Sequence, residues 1–249
     1  MPLSPIKPLF LLADSQLLFW QHNDKPFLSR IASFLEPKQR NHIKAAYLGA
    51  SNGDDPQFYP LFTEAMSLIG EHESRMIHSD FNKDDRAFLE KANIILLAGG
   101  DTEKGWKVFE KTGIKEILIQ RFAEGAILIG VSAGAIQLGQ LAWKREENNS
   151  FRCFNTMQLV PYVIDAHRED DNWSELGTII QNGDEYAKGL GLPKGGGAII
   201  HPDLSVEPIR HPLISMEQES NRLKHALLLP PSDSPPPTAV MQQTSATFH

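Results

Sequence analysis

The sequence has 249 residues, of which 41% are apolar and 22% charged, and this composition excludes a chain that is disordered as a whole. Lys and Arg number 24 against 31 for Asp and Glu, so the net charge of −7 argues against a nucleic acid or an anionic membrane as the main partner. A single cysteine, Cys153, excludes the disulfide framework of small secreted proteins and predicts a reducing, cytoplasmic location.

The first predicted element is a buried strand at residues 8–13. This apolar stretch runs directly into Asp14 and is too short for the core of a signal peptide or for a membrane span. A second buried strand is predicted at 43–49, and a turn follows at 51–55. The next segment predicts a helix whose apolar residues recur at helical spacing and form one core-facing stripe: Phe58, Leu61, Phe62, Ala65, Leu68 and Ile69.

Two later strands are predicted at 94–98 and 126–130, where every position but the final glycine of the second run is apolar. Such runs are typical of central parallel strands that helices cover on both faces. Four further elements precede or separate them: a short strand at 74–78 and helices from about 84, at 103–111 and at 114–124. The alternation predicts an α/β fold, a doubly wound and mostly parallel sheet with helices on both faces.

Beyond residue 150 the pattern weakens. The predicted elements there are one helix at 173–182 and strands at 157–160, 162–164, 198–201, 205–211 and 226–229. Five of the 17 prolines fall within 230–237, and the chain that follows has neither period nor much apolar content. We therefore expect a single α/β domain over residues 1–229 and a disordered tail over 230–249.

Residues 130–134, Gly-Val-Ser-Ala-Gly, match the pattern G-x-S-x-G between a predicted buried strand and a predicted helix. In this setting the pattern predicts a sharp turn that exposes Ser132 as a nucleophile, because only glycines permit so tight a turn. The N–H of Ala133 would then stabilise an oxyanion. A second donor is expected from the Gly-Gly-Asp turn at 99–101, which follows the other apolar strand.

A serine hydroxyl needs a base that accepts its proton, and nine histidines are available. His167 is favoured because the apolar residues 163–164 place it at the end of a predicted strand, where α/β sheets form their sites. Acidic residues surround it, but no histidine pair or cysteine pair at ligand spacing supports a metal ion. No metal or other cofactor is predicted.

The order and spacing of three pieces resemble the dipeptidase E and cyanophycinase family: residues 99–102, 130–135 and 163–167. The resemblance spans about residues 8–230. It implies a class-I glutamine amidotransferase-like, flavodoxin-like fold with serine peptidase activity. An α/β-hydrolase shares the serine pattern, but its histidine lies far downstream, near the chain end. Amidotransferases of this fold carry cysteine at the turn, where this chain has Ser132.

The resemblance implies that Ser132 is the nucleophile, that His167 is the general base, and that Gly100 and Ala133 supply the oxyanion donors. It also implies an acidic residue, soon after the serine, that orients the histidine. Glu147 matches this position, and its neighbour Glu146 is left open. Surface glutamates without a catalytic role are an equally weighted alternative for both.

Substrate contacts are predicted at Asp101, Asp165 and Arg168. The arginine that holds an aspartyl side chain in dipeptidase E-like proteins is replaced here by Ile180, which puts an aspartyl preference in question. Arg168 or Arg152 could substitute for it. Alternatively, the acidic loop after His167 would favour a cationic substrate or a free α-amino group.

The favoured function is that of a cytoplasmic serine exopeptidase that cleaves a small peptide or isopeptide bond through an acyl-enzyme at Ser132. The alternative is a catalytically impaired relative that binds peptides or regulates a partner. A cofactor-dependent enzyme is disfavoured, because neither G-x-G-x-x-G nor G-x-x-x-x-G-K-[ST] occurs. The expected partner is a small peptide, without nucleic acid or membrane, and a homodimer is left open.

Overall fold

The structure, a computed structural model, describes residues 6–183, 187–220 and 222–231. Its α-helices are α1 (Phe27–Ser33), α2 (Pro37–Arg40), α3 (Phe58–Ser67), α4 (Lys83–Leu89), α5 (Thr102–Thr112), α6 (Ile114–Ala123), α7 (Ala133–Leu138) and α8 (Ser174–Gln181). Its strands are β1 (Leu9–Leu12), β2 (Gln21–His22), β3 (Lys25–Pro26), β4 (Ile43–Leu48), β5 (His72–Ile77), β6 (Ile94–Leu97), β7 (Ile127–Val131), β8 (Leu141–Arg145), β9 (Phe151–Asn155), β10 (Val163–Ala166), β11 (Lys188–Leu192), β12 (Gly197–Ile200), β13 (Val206–Ile209), β14 (Leu213–Glu219) and β15 (Arg222–Leu228).

A seven-stranded sheet in the order β13-β12-β1-β7-β6-β4-β5 forms the centre of the molecule. Strands β1, β7, β6, β4 and β5 are parallel, whereas β12 and β13 add an antiparallel edge. The predicted doubly wound, mostly parallel α/β fold is confirmed. Its carboxyl edge gathers the ends of β1, β6 and β7, which is where ligands bind in such sheets.

The central strands are apolar throughout because both faces of the sheet are covered. Successive residues of β1 alternate between the two faces: Leu9 and Leu11 belong to one buried cluster, Phe10 and Leu12 to the other. Helices α5, α6 and α7 contribute to the first cluster, and α1 and α3 contribute to the second. The sheet is therefore a rigid platform between two cores.

A second, smaller sheet in the order β10-β11-β14-β15 packs against α8. Strands β11 and β14 were not predicted. In β11 the glycines conceal the strand pattern, because glycine is disfavoured in strands. Gly191 is nevertheless required, since a Cβ there would lie 2.4 Å from Ile214 and 2.8 Å from the Trp173 ring.

The strand predicted at 157–160 is wrong, and an unpredicted hairpin, β8–β9, precedes that segment. Residues 157–159 instead donate their backbone N–H groups to the carbonyls of Gln137, Gly139 and Leu138. Those carbonyls lie at the end of α7 and have no partner within the helix. Because these three N–H groups are bonded to the end of α7, they are not available for hydrogen bonds to a neighbouring strand.

The chain after β15 includes the prolines of the predicted tail. Pro230 and Pro231 belong to the described part, whereas residues 232–249 of that prediction lie outside the described residues. Within the described helices, none is long and apolar enough to cross a membrane.

Candidate active site

Ser132 lies between the end of β7 and the start of α7, with φ +50° and ψ −111°. Its N–H donates to the Leu12 carbonyl at 2.8 Å, which ties the turn to β1. Both flanking glycines are sterically required: a Cβ at Gly130 would lie 2.6 Å from the Ala135 backbone, and one at Gly134 would lie 2.2 Å from the Leu97 oxygen. Close packing of α7 on β6 and β7 thus imposes the turn and its positive φ at serine.

His167 follows β10 directly, and its Nε2 lies 2.8 Å from the Ser132 Oγ. It too has a positive φ, +49°, and its N–H donates to the Leu192 carbonyl at 2.8 Å. The imidazole is exposed while Ser132 is half-buried. The two side chains therefore meet where the small sheet approaches the carboxyl edge of the central sheet, within the distance required for a nucleophile and its base.

The two predicted oxyanion donors flank Ser132. Ala133 begins α7, and N–H groups in a first helical turn have no intrahelical partner. Gly100 has φ +135°, and a Cβ there would lie 2.3 Å from the Ser51 carbonyl oxygen. The next residue, Asp101, donates its N–H to that same oxygen at 2.8 Å, so the loop after β6 is held tightly against the 50–52 turn.

The side chain of Gln137 joins α7 to the loop that contains Gly100 and to the 50–52 turn. The side chain is fully buried on α7, and its Nε2 donates to the Ser51 Oγ at 3.1 Å and to the Thr102 carbonyl at 3.0 Å. One amide thus connects the helix after Ser132 with both segments that position Gly100. Sequence reasoning missed it, since a glutamine on a short helix gives no signal of burial.

Two cavities open beside the Ser132–His167 pair. The first, of about 330 Å³, is mainly apolar; the second, of about 270 Å³, is mainly polar, and both residues line both cavities. Phe58 and Leu61 line the apolar cavity and are 45% and 47% exposed, although their helical spacing predicts burial in the core. Periodicity identifies the apolar side of a helix, but not whether protein or ligand covers it.

A third cavity, of about 600 Å³, lies elsewhere on the molecule, and Ser132 and His167 are not among its lining residues. It lies between Trp20 and Phe27 on one side and residues 207–210 on the other. A paired guanidinium and carboxylate, Arg30 and Glu207, also line it.

Asp165 lines the polar cavity and is only 5% exposed. Its Oδ1 accepts the Ala166 N–H at 2.9 Å, whereas Oδ2 is buried and has no hydrogen-bond partner among the described residues. Burial raises the pKa of this carboxyl to about 7, against smaller lowering effects of the Ala166 hydrogen bond and of Arg168. Sequence reasoning proposed Asp165 as a substrate contact but had no signal for its neighbour in this cavity, Glu175.

Arg168 and Arg152, the expected substitutes for an aspartyl-binding arginine, are both engaged. Arg168 pairs with Asp171 at 3.3 Å and with Glu175 at 3.2 Å. Arg152 pairs with Glu146 and Glu103 and lines neither of the two cavities. Ile180 occupies the position of the family's arginine. It is fully buried between α8 and the small sheet.

Three acidic residues that the sequence analysis singled out, Glu147, Glu146 and Asp101, do not come together in the structure. Glu147 is exposed in the turn between β8 and β9, and no hydrogen bond joins it to His167 in the described part of the chain. Glu146 accepts from Arg152 at 2.8 Å. Asp101 caps α5 by accepting the Lys104 N–H at 2.9 Å and is not among the residues that line either cavity.

Two other carboxylates, one that lines the apolar cavity and one in the loop after His167, were not predicted. Asp14, which lines the apolar cavity with His167, accepts the Gly195 N–H at 2.6 Å. Glu169 accepts the Lys194 N–H at 3.0 Å. Together they fasten the turn between β11 and β12 to the end of β1 and to the loop after His167.

No group of three or more His, Cys, Asp or Glu side chains within the described ranges is arranged to hold a metal ion.

Comparisons with known proteins identify a family and a similar fold. A family model described as peptidase family S51 matches residues 9–201. The crystal structure of a peptidase from an acI-B1 Actinobacterium is similar, with TM-score 0.67 and 14% identity over 91% of this chain and 96% of that one. A protein from Listeria monocytogenes EGD-e, provisionally named peptidase E, matches with TM-score 0.60 and 16% identity over 83% of this chain and 100% of its own. No curated protein matches the chain.

Proposed function

The chain belongs to peptidase family S51 and is a serine-type peptidase, and from that premise we propose that it is an exopeptidase that cleaves short peptides through an acyl-enzyme at Ser132. The observation that carries the proposal is the 2.8 Å contact between the Ser132 Oγ and the His167 Nε2. A nucleophile and base at this distance, on a sterically enforced turn, are arranged for acyl transfer.

In the proposed reaction, the Ser132 Oγ attacks the scissile carbonyl carbon while the His167 Nε2 accepts the hydroxyl proton. The negative charge that develops on the carbonyl oxygen is stabilised by the N–H groups of Ala133 and Gly100. The tetrahedral intermediate collapses as His167 returns the proton to the leaving amine. Water, deprotonated by His167, then attacks the ester carbon, and the acid product leaves as the proton returns to the Ser132 Oγ.

The size of the site supports an exopeptidase. The cavity of about 330 Å³ lies at the lower end of the range of about 300–1,000 Å³ typical of ligand sites, and the cavity of about 270 Å³ lies just below it. Each therefore fits a single residue better than an extended segment. Asp165 and Arg168 remain our proposed substrate contacts because both line the polar cavity, whereas the roles of Asp101 and Glu147 stay predictions.

The test is Ser132→Ala, assayed for dipeptide hydrolysis and for covalent labelling by a fluorophosphonate. We expect a loss in kcat on the order of 10⁴–10⁶, no labelling, and an unchanged unfolding midpoint, because the substitution removes only the hydroxyl. Equal hydrolysis by wild type and variant would contradict the proposal. An unlabelled wild type that still binds peptide would favour a binding or regulatory function instead.

A further inference from the structure

The Ser132–His167 pair separates two cavities of opposite chemistry. The apolar cavity includes Tyr47 and Phe62, which belong to the core cluster on one face of the central sheet. The polar cavity includes Ala166 and Ile136, which belong to or pack against the cluster on the other face. A peptide whose scissile carbonyl lies at Ser132 thus extends into a different environment on each side.

Among the described residues that line the apolar cavity, Asp14 is the only carboxylate, His167 is the only histidine, and there is no lysine or arginine. The hydroxyl of Tyr47 accepts from the Asn52 amide at 2.9 Å, and burial raises the pKa of Tyr47, so this side chain is neutral and hydrogen-bonded. Phe58 and Leu61 leave nearly half of their surface uncovered beside this space. A large apolar side chain placed there would remove that surface from water.

One oxygen of a carboxyl that lines the polar cavity lacks a partner within the described chain. Asp165 is among the lining residues, and its Oδ2 is buried and receives no hydrogen bond from the described residues, whereas its Oδ1 accepts the Ala166 N–H. Glu175 lines the same cavity, but its oxygens are taken by the Trp143 Nε1–H at 3.0 Å and by Arg168 and Arg145. An unsatisfied buried acceptor is costly unless a ligand satisfies it.

The cationic side chain in this cavity is already neutralised. Arg168 lies between Asp171 and Glu175, so a substrate carboxylate would have to displace one of them while approaching Asp165. An ammonium group would not have to displace a carboxylate, because the Asp165 Oδ2 has no partner among the described residues. A charge-assisted hydrogen bond to it would be strong in a site of low dielectric.

We propose that the substrates are short peptides with a free N-terminal ammonium, which Asp165 binds in the polar cavity, and a large apolar residue after the scissile bond, which the apolar cavity binds. When the first peptide bond is cleaved, the ammonium and the attacked carbonyl belong to the same residue. The acyl residue therefore lies on the Asp165 side and the leaving residue on the Phe58 side. This assignment rests on the proposed function.

The proposal has a pH signature. Asp165 binds ammonium only when ionised, and its pKa of about 7 reflects burial, with Arg168 lowering it and Asp171 and Glu175 raising it. His167 also lines this cavity. Arg145 does not line it, but forms an ion pair with Glu175, which does. The KM for a free-amine substrate should thus fall as the pH rises through about 7 and rise again above about 8, where the peptide's amino group loses its proton.

Four dipeptides test the assignment with the full-length enzyme: Ala-Phe, N-acetyl-Ala-Phe, Ala-Asp and Asp-Phe, with the released amino acid quantified by chromatography. We expect kcat/KM for Ala-Phe to exceed that for each of the others by on the order of 10–100-fold. N-acetyl-Ala-Phe should lack the pH dependence of KM that the free-amine substrates show. Equal or faster cleavage of Asp-Phe, Ala-Asp or the acetylated peptide would overturn the proposal.

Matched variants assign each preference to its cavity. Asp165→Asn keeps the side-chain shape and should lower kcat/KM for Ala-Phe at least about tenfold while sparing N-acetyl-Ala-Phe; Asp170→Asn, in the same loop but exposed, is its control. Leu61→Ala should lower kcat/KM for Ala-Phe about tenfold while sparing Ala-Asp. Its control is Leu68→Ala, equally exposed beside the same helix but outside the cavity.

Fluorophosphonate labelling of Ser132 distinguishes failure of the substrate assignment from failure of the proposed function, because labelling requires no peptide recognition. A labelled enzyme that prefers Asp-Phe, or an Asp165→Asn variant that slows free and acetylated peptides equally, refutes the substrate assignment and leaves the peptidase mechanism intact. An enzyme that is folded, unlabelled and inactive on all four peptides refutes both.

Discussion

The proposed nucleophile and the proposed base are held by two regions of unlike construction. Ser132 is fixed by the central sheet: its turn is enforced by glycine contacts on both sides and by a hydrogen bond to β1. His167 is fixed by the small sheet, through one backbone hydrogen bond at the end of strand β10, and the residues after it are exposed. Packing therefore determines the serine geometry, whereas the histidine geometry depends on how the two sheets are joined.

A substitution in the serine turn should have the largest effect. In Gly134→Val, the new side chain would overlap the Leu97 backbone, where even a Cβ would lie at 2.2 Å. We expect a loss of about 1–3 kcal/mol in the free energy of unfolding from overpacking, measured by urea titration. Displacement of Ser132 should also lower kcat about 10²-fold in the protein that remains folded. Full activity and stability would show that packing does not enforce the turn.

The junction of the two sheets should give an intermediate effect. Asp14→Asn weakens the hydrogen bond to the Gly195 N–H, which joins the β11–β12 turn to the end of β1. We expect kcat to fall about tenfold, because hydrogen bonds to charged groups contribute about 1.5–3 kcal/mol, and fluorophosphonate labelling of Ser132 to slow in parallel.

The matched control for Asp14 is Asp203→Asn. Its carboxylate also accepts a backbone N–H, that of Ser205, but in an exposed turn that lines neither cavity beside Ser132. Equal kcat values for both variants would argue that the junction does not position His167. Loss of stability without loss of kcat would assign Asp14 a purely structural role.

The smallest effect is expected at the hairpin tip. Glu147 is exposed there and forms no described hydrogen bond with His167, so Glu147→Gln should change kcat by less than about twofold, as for surface substitutions in general. Glu146→Gln, which removes one of the two carboxylate charges paired with Arg152, is the matched comparison. A tenfold loss in kcat confined to Glu147→Gln would instead establish the orienting role that the family resemblance implies.

The sequence predicted the central sheet well because its strands are buried on both faces and leave apolar runs such as 94–97 and 127–129. It predicted the small sheet poorly. Strand β11 contains glycines that the close approach of Ile214 and Trp173 requires, and such a requirement is visible only in three dimensions.

The residues of the candidate site fall into two groups for a similar reason. Ser132 has a local signature, because one tight turn both creates and exposes it. The residues that line its cavities, such as Glu175 and Leu61, come from separate elements and carry no local signal. The helical stripe containing Leu61 was predicted to face the core, and Phe62 and Ala65 do so, whereas Phe58 and Leu61 are half-exposed beside the apolar cavity.

Strand β15 has a consequence for how the enzyme loses its activity. It forms the outer edge of the small sheet, and its residues are mostly exposed, with Leu227 at 67%. Regions that bury little apolar surface open locally at lower free energy than the core does. His167 follows β10 at the opposite edge of the same sheet, so unfolding that starts at β15 and spreads through β14 and β11 would separate His167 from Ser132 while the central sheet stays intact. Hydrolysis should therefore disappear at a lower urea concentration than the circular dichroism of the folded chain.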